Sequence, residues 1–168
     1  MLRDLIVGPH QISFDITNKC NLRCLHCYNS SGENLASQNE LTDQEVLDFI
    51  DEFKSIKLLN FCFCGGEPLL RKELIVEAAK RLRTYGCENV AMVSNGILMT
   101  DEVIEELINA GVTRIQISLD GIKAESHDRI RNKKGVYEKA TRAIEALVKH
   151  GVDTVSYTHL TLPTKRIV

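Results

Sequence analysis

Hydrophobic and polar positions along the chain change period repeatedly. Gln11–Thr17 (QISFDIT) alternates apolar and polar residues, which predicts a half-buried strand. Residues 41–56 carry Val46, Phe49, Ile50, Phe53 and Ile56 at helical spacing. Thr42 and Glu45 form a T-x-x-E capping box at the start of that helix. Residues 58–64 (LLNFCFC) are almost wholly apolar and read as a buried strand. The rhythm then repeats. Helices are predicted over 71–86, 101–111 and 136–151, each stopped by a glycine, and strands over 88–94, 113–119 and from 152. Alternating β and α units with short links predict an α/β fold of parallel strands with right-handed crossovers. The pattern alone leaves a barrel and a doubly wound sheet both open. Four to five strands are few for a closed eight-stranded barrel.

The 168 residues suit one domain, and 21 basic against 23 acidic side chains give a net charge of −2. That balance gives no electrostatic case for nucleic acid or an anionic membrane as partner. No stretch reaches the apolar length of a membrane span, and residues 1–20 lack the core of a secretion signal. A cytoplasmic chain is expected. Residues 29–40 have loop composition. After Val155 the helix–strand rhythm stops, so residues 1–154 are expected to form the domain. Residues 155–168 read as a tail of doubtful natural origin, with the domain truncated at that point.

Polar motifs follow each strand. Cys20, Cys24 and Cys27 follow the first, Gly65, Gly66, Glu67 and Pro68 the second, Ser94 and Asn95 the third, and Ser118 and Asp120 the fourth. Parallel topology brings all strand C-termini to one face, where ligands bind. The cysteines, spaced C-x-x-x-C-x-x-C, are soft ligands suited to an iron–sulfur cluster or to zinc. A Cys₃His zinc site using His26 stays open on these residues. Two glycines at 65 and 66 allow close approach of a ligand to the backbone. Cys62 and Cys64, two apart on a strand, share one face, with Phe61 and Phe63 on the other. They and Cys87 read as small packing residues.

The C-x-x-x-C-x-aromatic-C motif, GGEP and ISLDG together resemble the radical S-adenosylmethionine (radical SAM) superfamily over about residues 11–150. The resemblance implies a partial parallel (β/α) barrel. It implies that Cys20, Cys24 and Cys27 hold three irons of a 4Fe–4S cluster, with S-adenosylmethionine on the fourth. His26 would pack near the adenine. The backbone at Gly65, Gly66 and Glu67 would hold the methionine amino group, and Pro68, counted with the cofactor-binding residues, would fix the start of the next segment. Ser118 and Asp120 would lie near the ribose or methionine portion, with Ser94 and Asn95 lining the same mouth. In the segment HDRIR, His127, Asp128 and Arg131 resemble peptide- and protein-modifying members, where the arginine pairs with the cofactor carboxylate.

The implied reaction is reductive cleavage of S-adenosylmethionine to a 5′-deoxyadenosyl radical that abstracts hydrogen from a peptide or small-molecule substrate. An external one-electron reductant would be the partner. Molybdenum-cofactor or heme biosynthesis is the alternative within the family. A nonenzymatic iron–sulfur carrier, or an inactive cluster-binding fragment, is the alternative outside enzymology.

Overall fold

The structure, a computed structural model, describes residues 8–32, 39–56 and 58–156. The loop expected over 29–40 lies partly, and the tail over 155–168 mostly, outside the described residues. Five strands, β1 (Gln11–Thr17), β2 (Asn60–Gly65), β3 (Asn89–Ser94), β4 (Arg114–Ile117) and β5 (Asp153–Val155), form one sheet. All four pairings are parallel and the spatial order is β1-β2-β3-β4-β5. The order never reverses, so successive right-handed crossovers fall on the same face. This decides between the two expected topologies: the sheet is a run of a (β/α) barrel, with no doubly wound switch.

The helices are α1 (Asp43–Asp51), α2 (Lys72–Thr84), α3 (Asp101–Asn109), α4 (Ala124–Arg131) and α5 (Val136–Lys149). The Thr42–Glu45 capping box forms as predicted. The helix predicted over 41–56 ends earlier, passing into a 3₁₀ turn over Glu52–Ser55 that still buries Phe53. Gly86, Gly111 and Gly151 follow α2, α3 and α5 with positive φ, in the terminating role expected of them.

Alternation along the strands divides the sheet into two chemical faces. Toward the helices point Ile16, Phe61, Phe63, Val90, Met92, Ile115 and Ile117, all buried. All five phenylalanines of the chain join there. Phe14 stacks on Phe49 at 5.2 Å, Phe49 meets Phe53 edge-on at 5.2 Å, and Phe61 and Phe63 lie 4.9 Å apart. The opposite face carries Ser13, Cys62, Ala91 and Arg114 in register, with Asp15 beside Cys64 and Val93 beside Gln116. A closed barrel of packed type fills its interior with bulky branched side chains. These small and polar residues leave a wall instead.

Candidate cofactor site

β1 delivers the chain into the cysteine loop, and two polar anchors fix where that loop starts. Glu40 accepts from the Thr17 hydroxyl (3.0 Å) and from the Asn18 backbone N–H (2.6 Å). The side-chain carbonyl of Asn18 accepts from the Ser31 hydroxyl (2.9 Å) and the Asn29 amide (3.1 Å). The Asn18 backbone carbonyl takes the Gly32 N–H (2.7 Å). The loop therefore leaves and returns at one residue, with the three cysteines between.

All three thiols line one cavity of about 520 Å³ at the C-terminal ends of the strands. That volume suits a nucleoside-sized ligand. Cys20 Sγ accepts the Leu22 N–H at 3.4 Å, and Cys27 Sγ accepts the Ser31 N–H at 3.4 Å. Cys24 Sγ lies 3.7 Å from Nη1 of Arg131. Burial pushes the Cys20 and Cys24 thiols up, with Arg131 acting against it on Cys24. Burial acts the same way on Cys27, but the N–H groups of Ser31, Asn29 and Ser30 outweigh it and leave that thiol lowered. Backbone donors stabilise a thiolate in the way they would stabilise a ligated sulfur.

The GGEP turn packs against this loop. A Cβ on Gly65 would stand 2.3 Å from the Thr17 carbonyl oxygen, and one on Gly66 2.2 Å from that of Lys19. The expected close approach is thus made by the protein's own cysteine loop. The Gly66 N–H bonds to Thr17 O at 2.8 Å and the Glu67 N–H to Lys19 O at 2.8 Å. Both glycines still line the cavity, whereas Glu67 and Pro68 lie behind it. Pro68 is buried as the first residue of a 3₁₀ turn (Pro68–Arg71).

The Glu67 carboxylate is fully buried. It accepts from the Ser94 hydroxyl (2.9 Å), the Asn95 N–H (2.9 Å) and the Leu69 N–H (3.2 Å). Burial raises its pKa, partly opposed by these donors. It buckles the end of β2 to the end of β3. Ser94 and Asn95 line the cavity as expected, yet their polar groups are largely spent on this buckle and on the Asn95–Asn21 amide bond (2.7 Å).

Across the mouth stands a set of charges from α4 and the turn before it. Arg131 Nε donates to Asp120 Oδ2 at 2.5 Å, and His26 Nε2 lies 3.5 Å from Asp120 Oδ1. The Asp120 N–H donates to Nδ1 of His127 at 3.0 Å, which places the imidazole proton on Nε2. Burial and the neighbouring Arg131 lower the His127 pKa, which favours the neutral ring. Asp128 turns the other way and accepts from the N–H groups of Gly135 and Tyr137 at the start of α5. His26, Ser118, Asp120 and Arg131 all line the cavity with the cysteines. Leu22, Tyr28, Ser31, Cys64, Val93 and Gln116 complete it. Of these, Gln116 was readable as the polar position of an alternating strand, and Cys64 as the cavity-side partner of Phe63. Ser31 carried no signal.

A single zinc ion requires its ligands to converge on one point. Among the described residues, no group of three His, Cys, Asp or Glu side chains does so. The Cys₃His alternative therefore has no converged ligand set among the described residues. Three soft thiols, two with backbone donors and the third beside Arg131, in a cavity that Ser118 also lines, fit a 4Fe–4S cluster and an amino-acid-bearing nucleoside.

The profile of the radical SAM superfamily matches residues 14–166. The chain belongs to the radical SAM superfamily. Its enzymes use a 4Fe–4S cluster and S-adenosylmethionine. An AdoMet-dependent heme synthase from Methanosarcina barkeri is 39% identical over 145 residues, covering 84% of this chain and 40% of that protein. The mycofactocin maturase MftC from Mycolicibacterium smegmatis is 35% identical over 146 residues, covering 86% of this chain and 36% of that protein. Among solved structures, Streptococcus suis SuiB bound to precursor peptide SuiA superposes with a TM-score of 0.75 at 14% identity, over 94% of this chain and 34% of SuiB. The chain thus spans about two fifths of the length of these curated radical SAM relatives.

Proposed function

We propose that this chain is the cofactor-binding part of a radical SAM enzyme that modifies a peptide or protein. The observation that carries the reading is the meeting of Cys20, Cys24 and Cys27 with Ser118, Asp120 and Arg131 around one cavity. In this reading the three thiolates hold the cluster and leave one iron for S-adenosylmethionine. The bound pair supplies one-electron cleavage of S-adenosylmethionine and hydrogen abstraction from substrate. The protein's part is to bind, orient and exclude water. Gly65 and Gly66 form the floor beside the loop, His26 and Tyr28 the rim on the adenine side. Arg131, steadied by Asp120, presents a guanidinium to a carboxylate. Glu67 and Pro68 hold this frame from behind. The electron comes from an external one-electron reductant, in the cytoplasm.

The peptide assignment draws support from the mycofactocin maturase relative and from the HDRIR segment. Heme biosynthesis is the second reading, favoured by the 39% identity to the heme synthase. Anaerobic reconstitution with iron and sulfide, reduction, and assay for 5′-deoxyadenosine test the common core. Cluster formation without cleavage would point to an iron–sulfur carrier or an inactive fragment. Offering a precursor peptide and an iron porphyrin in parallel then separates the substrates: the peptide reading fails if only the porphyrin is consumed.

A further inference from the structure

Cys64 lines the mouth described above and Cys62 does not, and neither thiol has a role there so far. They sit two apart on β2, on the face opposite the buried rings of Phe61 and Phe63. The Cys64 thiol donates to Cys62 Sγ, with the sulfurs 3.6 Å apart. Cys64 lines the mouth, while Cys62 lines a second cavity on the same sheet face with Ala91, Val93 and Gln116. Their register partners on β1 are Ser13 and Asp15. An oxygen-bearing row therefore flanks the pair on one side, and small Ala91 stands beside Cys62 on the other.

The separation of the sulfurs distinguishes what the pair can bind. Two thiolates on one tetrahedral zinc-class ion, at about 2.3 Å each, stand about 3.8 Å apart. A disulfide would draw the sulfurs to about 2.05 Å between residues whose α-carbons, two positions along a strand, are about 6.6 Å apart, at the wide limit of disulfide geometry. The observed 3.6 Å is close to the first arrangement and far from the second. The packed rings of Phe61 and Phe63 hold the strand against the movement that a disulfide would need.

We propose that Cys62 and Cys64 form a bidentate thiolate clamp for a soft divalent cation of the zinc class, on the wall of the mouth and separate from the three loop cysteines. Binding replaces two S–H bonds with two S–metal bonds and releases two protons to solvent. Among the described residues no third His, Cys, Asp or Glu completes a cage. The remaining coordination positions therefore go to water or to a donor atom of a molecule in the mouth.

The test uses the full chain with Cys20, Cys24 and Cys27 replaced by serine, so that the probe cannot occupy the loop. Cadmium ion alone is added. Thiolate-to-cadmium charge transfer is followed in the ultraviolet and bound metal is counted by equilibrium dialysis. One cadmium per chain is expected, weakened at least tenfold by C62S and equally by C64S, and unaffected by C87S. A missing charge-transfer band, or one that survives either substitution, overturns the clamp. The chain with all its cysteines provides a second measurement that no folding defect can confuse. Alkylation by iodoacetamide, mapped by mass spectrometry, is expected to show cadmium shielding Cys62 and Cys64 together. Shielding of neither, or of one alone, overturns the proposal. None of these outcomes depends on cluster assembly, so the clamp and the proposed function stand or fall separately.

Discussion

Arg131 reaches Cys24 from the other side of the mouth. Its Nη1 lies 3.7 Å from the thiol sulfur while its Nε is held by Asp120. A positive donor beside a ligating sulfur stabilises the extra electron of a reduced cluster. Arg131→Gln is expected to keep full iron content and to lower the reduction potential, read by an electron-paramagnetic-resonance titration. An unchanged potential would remove Arg131 from the surroundings of the cluster.

Cys24 is one of three thiols that enclose no hydrophobic core, so its loss should be chemical and local. Cys24→Ala is expected to abolish the cluster's visible absorption and bound iron while circular dichroism retains its helical signal. Full iron retention would refute the ligand assignment.

Glu67 satisfies three buried donors at once. Glu67→Gln keeps the shape but gives up part of the acceptor capacity, and Glu67→Ala gives up all of it. Each buried donor left without a partner costs about 1–3 kcal/mol. Urea unfolding should rank wild type above glutamine above alanine. S-adenosylmethionine affinity is expected to fall with Glu67→Ala, because the loop and the turn share this buckle, while iron binding persists. Equal stability of all three chains would show that the carboxylate is not structural.

His127 provides a pH dependence. Its pKa in the folded chain lies below the ordinary 6.5, first because of burial and then because of Arg131. As pH falls through that ordinary value, the unfolded chain takes up a proton that the folded chain refuses. Stability therefore declines toward acid until the lowered folded pKa is passed. His127→Gln should remove this component. The comparison is the change in urea midpoint between about pH 7.5 and about pH 5.5, and equal changes in both chains would contradict it.

The strands and most helices were legible because their periods are strong. β1 has the bounds its alternation predicted, and Thr42 caps α1 as its motif requires. Helix α4 was not, because among its eight residues only His127 is buried and no apolar stripe marks it. The topology needed the strand order itself. At the site, the three cysteines and the mouth were readable from spacing and from the strand ends. What spacing could not convey was which polar groups are already spoken for. The Glu67 carboxylate, the Ser94 hydroxyl and the Asp120 carboxylate all have partners within the protein. Such pairings join residues 11 and 27 positions apart, and they follow from packing rather than from any local pattern.

The two faces of the sheet also separate two kinds of evolutionary freedom. Replacing Phe61, Met92 or Ile115 would cost stability, since each is wholly enclosed. Ser13, Cys62, Ala91, Val93 and Gln116 alternate with them on the same strands but bear little of the packing load. A library varied only at those alternate positions could sample new cavity shapes and chemistries on an unaltered scaffold, with the cysteine loop left untouched.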